Sequence, residues 1–172
     1  MPGQQVRRER LVAGMDKQLT LGSLFSGSGG FELAGMLNGI KPVWLSEIEP
    51  FASLVTAKRF PNVTHYGDIS TLNGADLEPV DIITWGSPCQ DLSISGKRAG
   101  LSGARSGLYL QAVRIVKEML EATSGEYPRY CVFENVPGLL SSNNGEDFKT
   151  CLDLVQELGF IPDANFLDAQ YM

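Results

Sequence analysis

The sequence predicts an α/β domain built on a mostly parallel, doubly wound sheet. Three observations predict it. Short apolar runs alternate with amphipathic helical stretches from residue 19 onward. A glycine-rich turn follows the first apolar run and precedes a helical stretch. Two later runs end abruptly in polar residues with chemistry to offer, at Gly86-Ser87-Pro88-Cys89 and at Glu134-Asn135.

Residues 1–17 are polar and aperiodic and read as a flexible tail, with Met15 an alternative start, ahead of one domain over 18–172. A first strand covers 19–24, followed by the loop Phe25-Ser26-Gly27-Ser28-Gly29-Gly30 and a helix over about 31–37 that Asn38-Gly39 stops. A second strand at 42–46 leads to a helix that Pro50 opens, since a missing N–H costs nothing in a first turn. Short strands follow at 63–66 and 81–85. The glycine- and serine-rich stretch 90–105 reads as a long loop, a kind that is functional or disordered in compact domains. The stretch 108–120 has a wide apolar face at helical spacing, suited to packing on a sheet. A fifth strand spans 130–133, another helix runs through 148–158 to Gly159, and a last strand begins over 165–169.

At 172 residues, with 43% hydrophobic and 20% charged side chains, the chain fits one domain with a sizeable core. No apolar run reaches the length of a membrane span, and no N-terminal stretch has a signal peptide's apolar centre. Cys89, Cys131 and Cys151 are far apart, which excludes the usual zinc spacings and argues against a disulfide framework. The expectations are therefore no metal and a reducing cytoplasm. The net charge of −6, from 14 basic and 20 acidic residues, opposes an overall basic nucleic-acid binder. Basic charge is local: Arg7, Arg8 and Arg10 in the tail, and Lys97, Arg98 and Arg105 in the long loop.

Glycines between a strand and a helix let the backbone turn sharply and let a ligand approach the helix N-terminus. Gly27-Ser28-Gly29-Gly30 departs from the dinucleotide fingerprint, so it suits a carboxylate of an amino-acid-like cofactor, or is a plain structural turn. Glu47 and Glu49 follow strand two, where nucleoside-binding folds hold ribose; one of them instead caps the Pro50 helix, and Glu47 is the favoured ribose ligand. Asp68 is a candidate acceptor for an adenine amino group, or a turn former. Cys89, at a strand's end before a flexible loop, is placed as an exposed nucleophile, whereas Cys131 and Cys151 read as buried and structural. His65, the single histidine, reads as structural rather than as a base. In strand order 3-2-1-4-5 the glycine loop, Cys89 and Glu134 converge on one crevice at the topological switch point.

Phe25-Ser-Gly-Ser-Gly-Gly-Phe31, Gly86-Ser-Pro-Cys-Gln-Asp-Leu-Ser93 and Phe133-Glu-Asn-Val-Pro-Gly138 together resemble the cytosine-5 DNA methyltransferases over about residues 19–171. The resemblance implies a Rossmann-like S-adenosylmethionine-dependent methyltransferase fold and DNA methylation of the restriction-modification kind. It implies S-adenosyl-L-methionine as cofactor, held by Phe25, Ser26, Gly27, Gly29 and Gly30 of the loop, and by Glu47, Ile48, Asp68, Ile69 and Pro88. Ile48 departs from the aromatic residue often found at its position, so stacking becomes plain apolar contact. Cys89, Glu134 and Arg105 are the implied catalytic residues, with Ser87, Gln90, Asn135, Lys97 and Arg98 on the substrate. The implied substrate is DNA with its target cytosine flipped out. RNA is the alternative, since one branch of the family methylates tRNA.

The chain stops at Asp168-Ala-Gln-Tyr-Met172, before the segments that carry a further arginine pair, target recognition and a terminal helix in that family. The expectation is an N-terminal catalytic portion, incomplete at its C-terminus, that works with further chain or a second chain. A cofactor- or partner-binding module without activity is the other reading.

Overall fold

A computed structural model of the chain describes residues 17–86 and 107–167. Five strands form one sheet: β1 (Thr20–Leu24), β2 (Lys41–Ser46), β3 (Thr64–Tyr66), β4 (Ile82–Trp85) and β5 (Tyr130–Phe133). Their order is β3-β2-β1-β4-β5, and each adjacent pair is parallel. The helices are α1 (Gly30–Leu37), α2 (Pro50–Arg59), α3 (Gly107–Ala122) and α4 (Glu146–Glu157) among the described residues. This is the doubly wound order that the alternation of runs predicts.

The central strands are buried on both faces, as parallel sheets require, with apolar or small residues at their buried positions. The bare Cα of Gly22 lies under the buried indole of its register partner Trp44, and a Cβ there would enter the ring. Trp44 Nε1 donates to the Glu78 carbonyl at 2.8 Å, so the buried indole is satisfied. On α3 the predicted apolar face is confirmed, with Tyr109, Ala112, Ile115, Val116 and Met119 buried against Leu24, Ile83 and Trp85. Trp85 stacks on Phe133 at 5.7 Å between ring centres, and Tyr109 meets the edge of Phe133 at 4.9 Å. The Tyr109 hydroxyl donates to the Cys151 carbonyl at 2.8 Å and so ties α3 to α4.

Buried Asp81 sets the strands level. Its Oδ2 accepts from the Thr20 N–H at 3.0 Å and the Thr20 hydroxyl at 2.9 Å, and the same hydroxyl accepts from the Asp81 N–H. Its carbonyl accepts from the N–H groups of Arg129 and Tyr130 at 2.9 and 3.0 Å. One residue thus aligns the starts of β1, β4 and β5. At the other end Leu24 lies beside Ser46 and Trp85, and Trp85 beside Phe133.

Two expectations need correction or limitation. The last strand does not form over the described residues 165–167, which run without a ladder partner. The long loop and most of the tail lie outside the described residues, except that Lys17 donates to the Tyr127 hydroxyl at 2.9 Å. Asp81→Ala strands the Thr20 N–H and hydroxyl away from water and removes the partner of Arg129. It should cost about 1–3 kcal/mol in urea unfolding. An unchanged midpoint would show that Asp81 does not set the register.

Candidate active site

Since four strands finish in line, the residues just beyond them emerge on one edge: Phe25 after β1, Glu47 after β2, Gly86 after β4 and Glu134 after β5. The turn after β1 is built from left-handed residues, Phe25 at φ 56, Gly27 at φ 54 and Gly29 at φ 89. For Phe25 that conformation is strained. At Gly29 a side chain would also enter the Phe60 ring, so this glycine permits both the turn and the packing of α1 on α2. Ser26 is buried; its N–H donates to the Ser46 carbonyl at 3.2 Å and its carbonyl accepts from Gly29 N–H at 2.9 Å. Gly29 stands at the N-cap of α1 and supplies no side-chain acceptor, so the positive end of that helix opens onto the turn.

The two acids after β2 have separate tasks. Glu49 caps α2, its side chain accepting from Ala52 N–H at 2.7 Å, with Pro50 opening the helix. Glu47 ties the glycine turn to β2. Its Oε2 accepts from Gly27 N–H at 2.7 Å, and its Oε1 accepts from the N–H groups of Ile48 and Glu49 at 2.8 Å each. Three donors leave about one of the roughly four lone-pair directions of a carboxylate for a further hydroxyl. Beside it Ile48 is 68% exposed and presents an apolar surface.

Asp68 starts the short turn Ile69–Thr71, with Oδ1 accepting from Ser70 N–H at 2.8 Å. That bond from the Ser70 N–H, with help from the Ser70 side chain, holds the carboxyl below its usual range. Asp68 is thus a turn former that remains exposed and charged, and the two readings are compatible. Ile69 requires a correction. The residue is 3% exposed and belongs to the core, and its carbonyl accepts from Arg114 Nη2 at 2.9 Å and Leu72 N–H at 3.2 Å, so it is not open to a ligand.

At the β4 and β5 tips, Glu134 N–H donates to the Trp85 carbonyl at 2.9 Å. The Glu134 carboxylate lies over Gly86, where a Cβ would come within 2.9 Å of Oε2. This brings an exposed acid to the backbone three residues before Cys89. Asn135 Oδ1 accepts from Val136 N–H at 2.9 Å. Ser87, Pro88, Cys89, Gln90, Lys97, Arg98 and Arg105 lie outside the described residues. Burial pushes the Cys131 thiol up to about 12 and the Cys151 thiol up to about 11, as suits structural cysteines. His65 holds a structural place, with Nε2 3.3 Å from the Phe60 carbonyl. Among the described residues no cluster of His, Cys, Asp and Glu is arranged to hold a metal.

The sequence reading missed Glu32. This acid is 0% exposed under the glycine turn, while Leu33, Met36 and Leu37 of the same helix face outward. The local pattern points the other way: the apolar stripe Leu33, Met36 and Leu37 would be expected to face the core, yet the side with Glu32 and Gly35 is the buried one.

Two variants separate the acids. Glu49→Ala removes only a cap and should cost about 1 kcal/mol. Glu47→Ala frees three N–H groups and should speed amide exchange at Gly27 and Ile48. Unchanged exchange at Gly27 in that variant would show that Glu47 does not hold the turn.

The sequence profile of the C-5 cytosine-specific DNA methylases matches residues 19–172. The type II methyltransferase M2.BsuMI of Bacillus subtilis is 34% identical over 148 residues, covering 86% of this chain and 37% of its own length. A DNA N-6-adenine-methyltransferase of Escherichia phage P1 is 39% identical over 132 residues, 73% of this chain, but those residues are 18% of that longer protein. The crystal structure of the S. pombe Dnmt2 methyltransferase superposes with a TM-score of 0.59 at 25% identity, over 80% of this chain and 40% of that one. The chain thus spans well under half the length of these relatives. With the profile running through sheet, glycine turn and both strand-tip motifs, the chain belongs to the C-5 cytosine-specific DNA methylase family.

Proposed function

We propose that this chain carries the S-adenosylmethionine site and the nucleophile of a DNA cytosine-5 methyltransferase. The relatives' additional length would complete its substrate site. The observation that carries the reading is the Glu134 carboxylate against Gly86, on the same sheet edge as the glycine turn and three residues before Cys89.

The residues suit the cofactor. The open N-terminus of α1 fits a carboxylate, the free lone-pair direction of Glu47 a ribose hydroxyl, and exposed Ile48 an apolar ring face. Charged Asp68 fits an adenine amino group. Phe25 would pack on the cofactor, with the backbone of Ser26, Gly27, Gly29, Gly30 and Pro88 lining the site. When bound, S-adenosylmethionine supplies an electrophilic methyl group.

Carbon 5 of cytosine is too weak a nucleophile to take that methyl group unaided. The Cys89 thiolate forms a bond to carbon 6, and the ring's electron pair moves to make carbon 5 enamine-like. Glu134 holds the ring nitrogen and exocyclic amine, and stabilises the proton that arrives during addition. After carbon 5 is methylated, a base takes its proton, the double bond re-forms and the Cys89 sulfur leaves with the electron pair of its bond. Ser87, Gln90 and Asn135 would hold the flipped base, while Lys97, Arg98 and Arg105 meet phosphate and target from the loop.

The test is covalent trapping on DNA containing 5-fluorocytosine, with a segment corresponding to the relatives' additional length supplied in cis or in trans. Fluorine does not leave as a proton does, so the Cys89–carbon 6 bond should persist. Cys89→Ser should abolish the adduct, whereas Cys131→Ser and Cys151→Ser should keep it. Glu134→Gln should slow its formation by about 10²–10³-fold. An adduct mapped to another cysteine, or none with that segment supplied, overturns the mechanism.

A further inference from the structure

A charged group with no exposure normally has a partner, because water no longer solvates it. Glu32 does not follow that rule. It is 0% exposed, and neither carboxyl oxygen makes a hydrogen bond to a described residue. The buried Ser26 and Ser23 are the side chains whose hydroxyls act on it, and Ser26 Oγ lies 3.1 Å from Ser23 Oγ and 3.4 Å from the Ser23 carbonyl. We propose that Glu32 is a positioning residue that holds the glycine turn in its ligand-accepting shape as an uncharged acid, acting through Ser26 and Ser23. The ligand clause rests on the reading of that turn as the cofactor site.

Proton counting favours the neutral form. The Ser23 and Ser26 hydroxyls lie within hydrogen-bond distance of each other, so one of their two protons is engaged between them and one remains for both oxygens of a carboxylate. A neutral acid brings a proton of its own and carries no charge to be solvated, so it needs fewer donors from the two serines. Ser26 is the residue on which the turn hangs, through its bonds to Ser46 and Gly29. An acid that fixes Ser26 therefore fixes the turn.

The surroundings agree. Burial is the largest influence on Glu32 and raises its proton affinity, against smaller opposing effects from its own N–H, Ser26, Ser23 and the charge of His65 on β3. The other charged groups around the turn are Glu47 at the β2 tip, bonded to Gly27, and Arg59 on α2, whose Nη1 donates to the Ser28 carbonyl at 3.4 Å. With a raised value in the folded state, the stability that Glu32 confers is complete below the ordinary glutamate range near about 4.3. It is lost as pH rises through the raised value. An ionised Glu32 would also place negative charge at the helix end assigned to the cofactor's carboxylate, so affinity falls over the same window.

Carbon-13 NMR of the labelled chain tests this, with the Glu32 carboxyl assigned by its loss in Glu32→Gln. Glu32 should titrate above the other glutamates, and the amides of Gly27 and Gly29 should shift with its midpoint. In Glu32→Gln, which keeps an uncharged head of the same shape, those amides should stay at their acid-form positions at every pH. In Glu32→Ala they should move away. A Glu32 midpoint in the ordinary range, or turn amides indifferent to it, overturns the proposal; if a variant fails to fold, the wild-type titration decides alone. Calorimetric titration with S-adenosylhomocysteine should then show affinity falling by up to about tenfold per pH unit above the midpoint, and not in Glu32→Gln. Equal affinity across the midpoint removes the link to the ligand. Absence of binding at every pH, with the amide coupling intact, sinks the cofactor reading and leaves the role of Glu32 in the turn standing.

Discussion

Asp81 spends its N–H, its carbonyl and Oδ2 on alignment. Its side chain and N–H hold Thr20 at the start of β1, and its carbonyl holds Arg129 and Tyr130 at the start of β5. Side chains along a strand alternate faces, so a one-residue slip would turn every core residue of that strand outward. The same slip would carry a strand tip about 3.3 Å away from its neighbours. The contact between Glu134 and Gly86, and the bond from Gly27 to Glu47, both depend on strands ending level. The lock lies at the opposite end of the sheet from the site it positions.

What the sequence disclosed follows the strength of its local signals. Strands β1, β4 and β5 are apolar runs ended by polar residues, and α3 carries its periodic face through sixteen residues; both signals survive in isolation. Pattern favoured Glu47 over Glu49 for the ligand without assigning the cap, because two acids in one turn compete for it. Only the direction of each carboxylate, one to Gly27 and one to Ala52, separates them. Ile69 misled because the motif Gly67-Asp68-Ile69 gives no sign that its apolar member turns into the core. The strand expected near residue 165 had apolar content but needs a partner, and a ladder is a tertiary property.

The turn after β1 collects several costs in a few residues: a left-handed phenylalanine, a glycine pressed on Phe60 and a buried acid without a hydrogen bond. Such conformations persist where surrounding structure over-determines them. Here the surroundings are firm, with Trp44 and Trp85 buried beside the tips and Tyr109, Trp85 and Phe133 in mutual contact. Local rules fail at the turn and hold in the core behind it, the distribution expected where a fold has been shaped for a ligand.

Net charge −6 first argued against a nucleic-acid enzyme, and the distribution of acids answers that objection. Glu47, Asp68 and Glu134 all lie just beyond the sheet's C-terminal edge, where the proposed reading places a cofactor with a positive sulfonium. A cationic ligand and a base that gains a proton during reaction are both stabilised by negative charge there. DNA phosphate requires the opposite sign; among the described residues Arg59 reaches this edge, donating to the Ser28 carbonyl, and in the sequence Lys97, Arg98 and Arg105 follow Cys89. On the proposed reading the acidic residues at this edge favour a cationic cofactor, so a net charge of −6 does not oppose it.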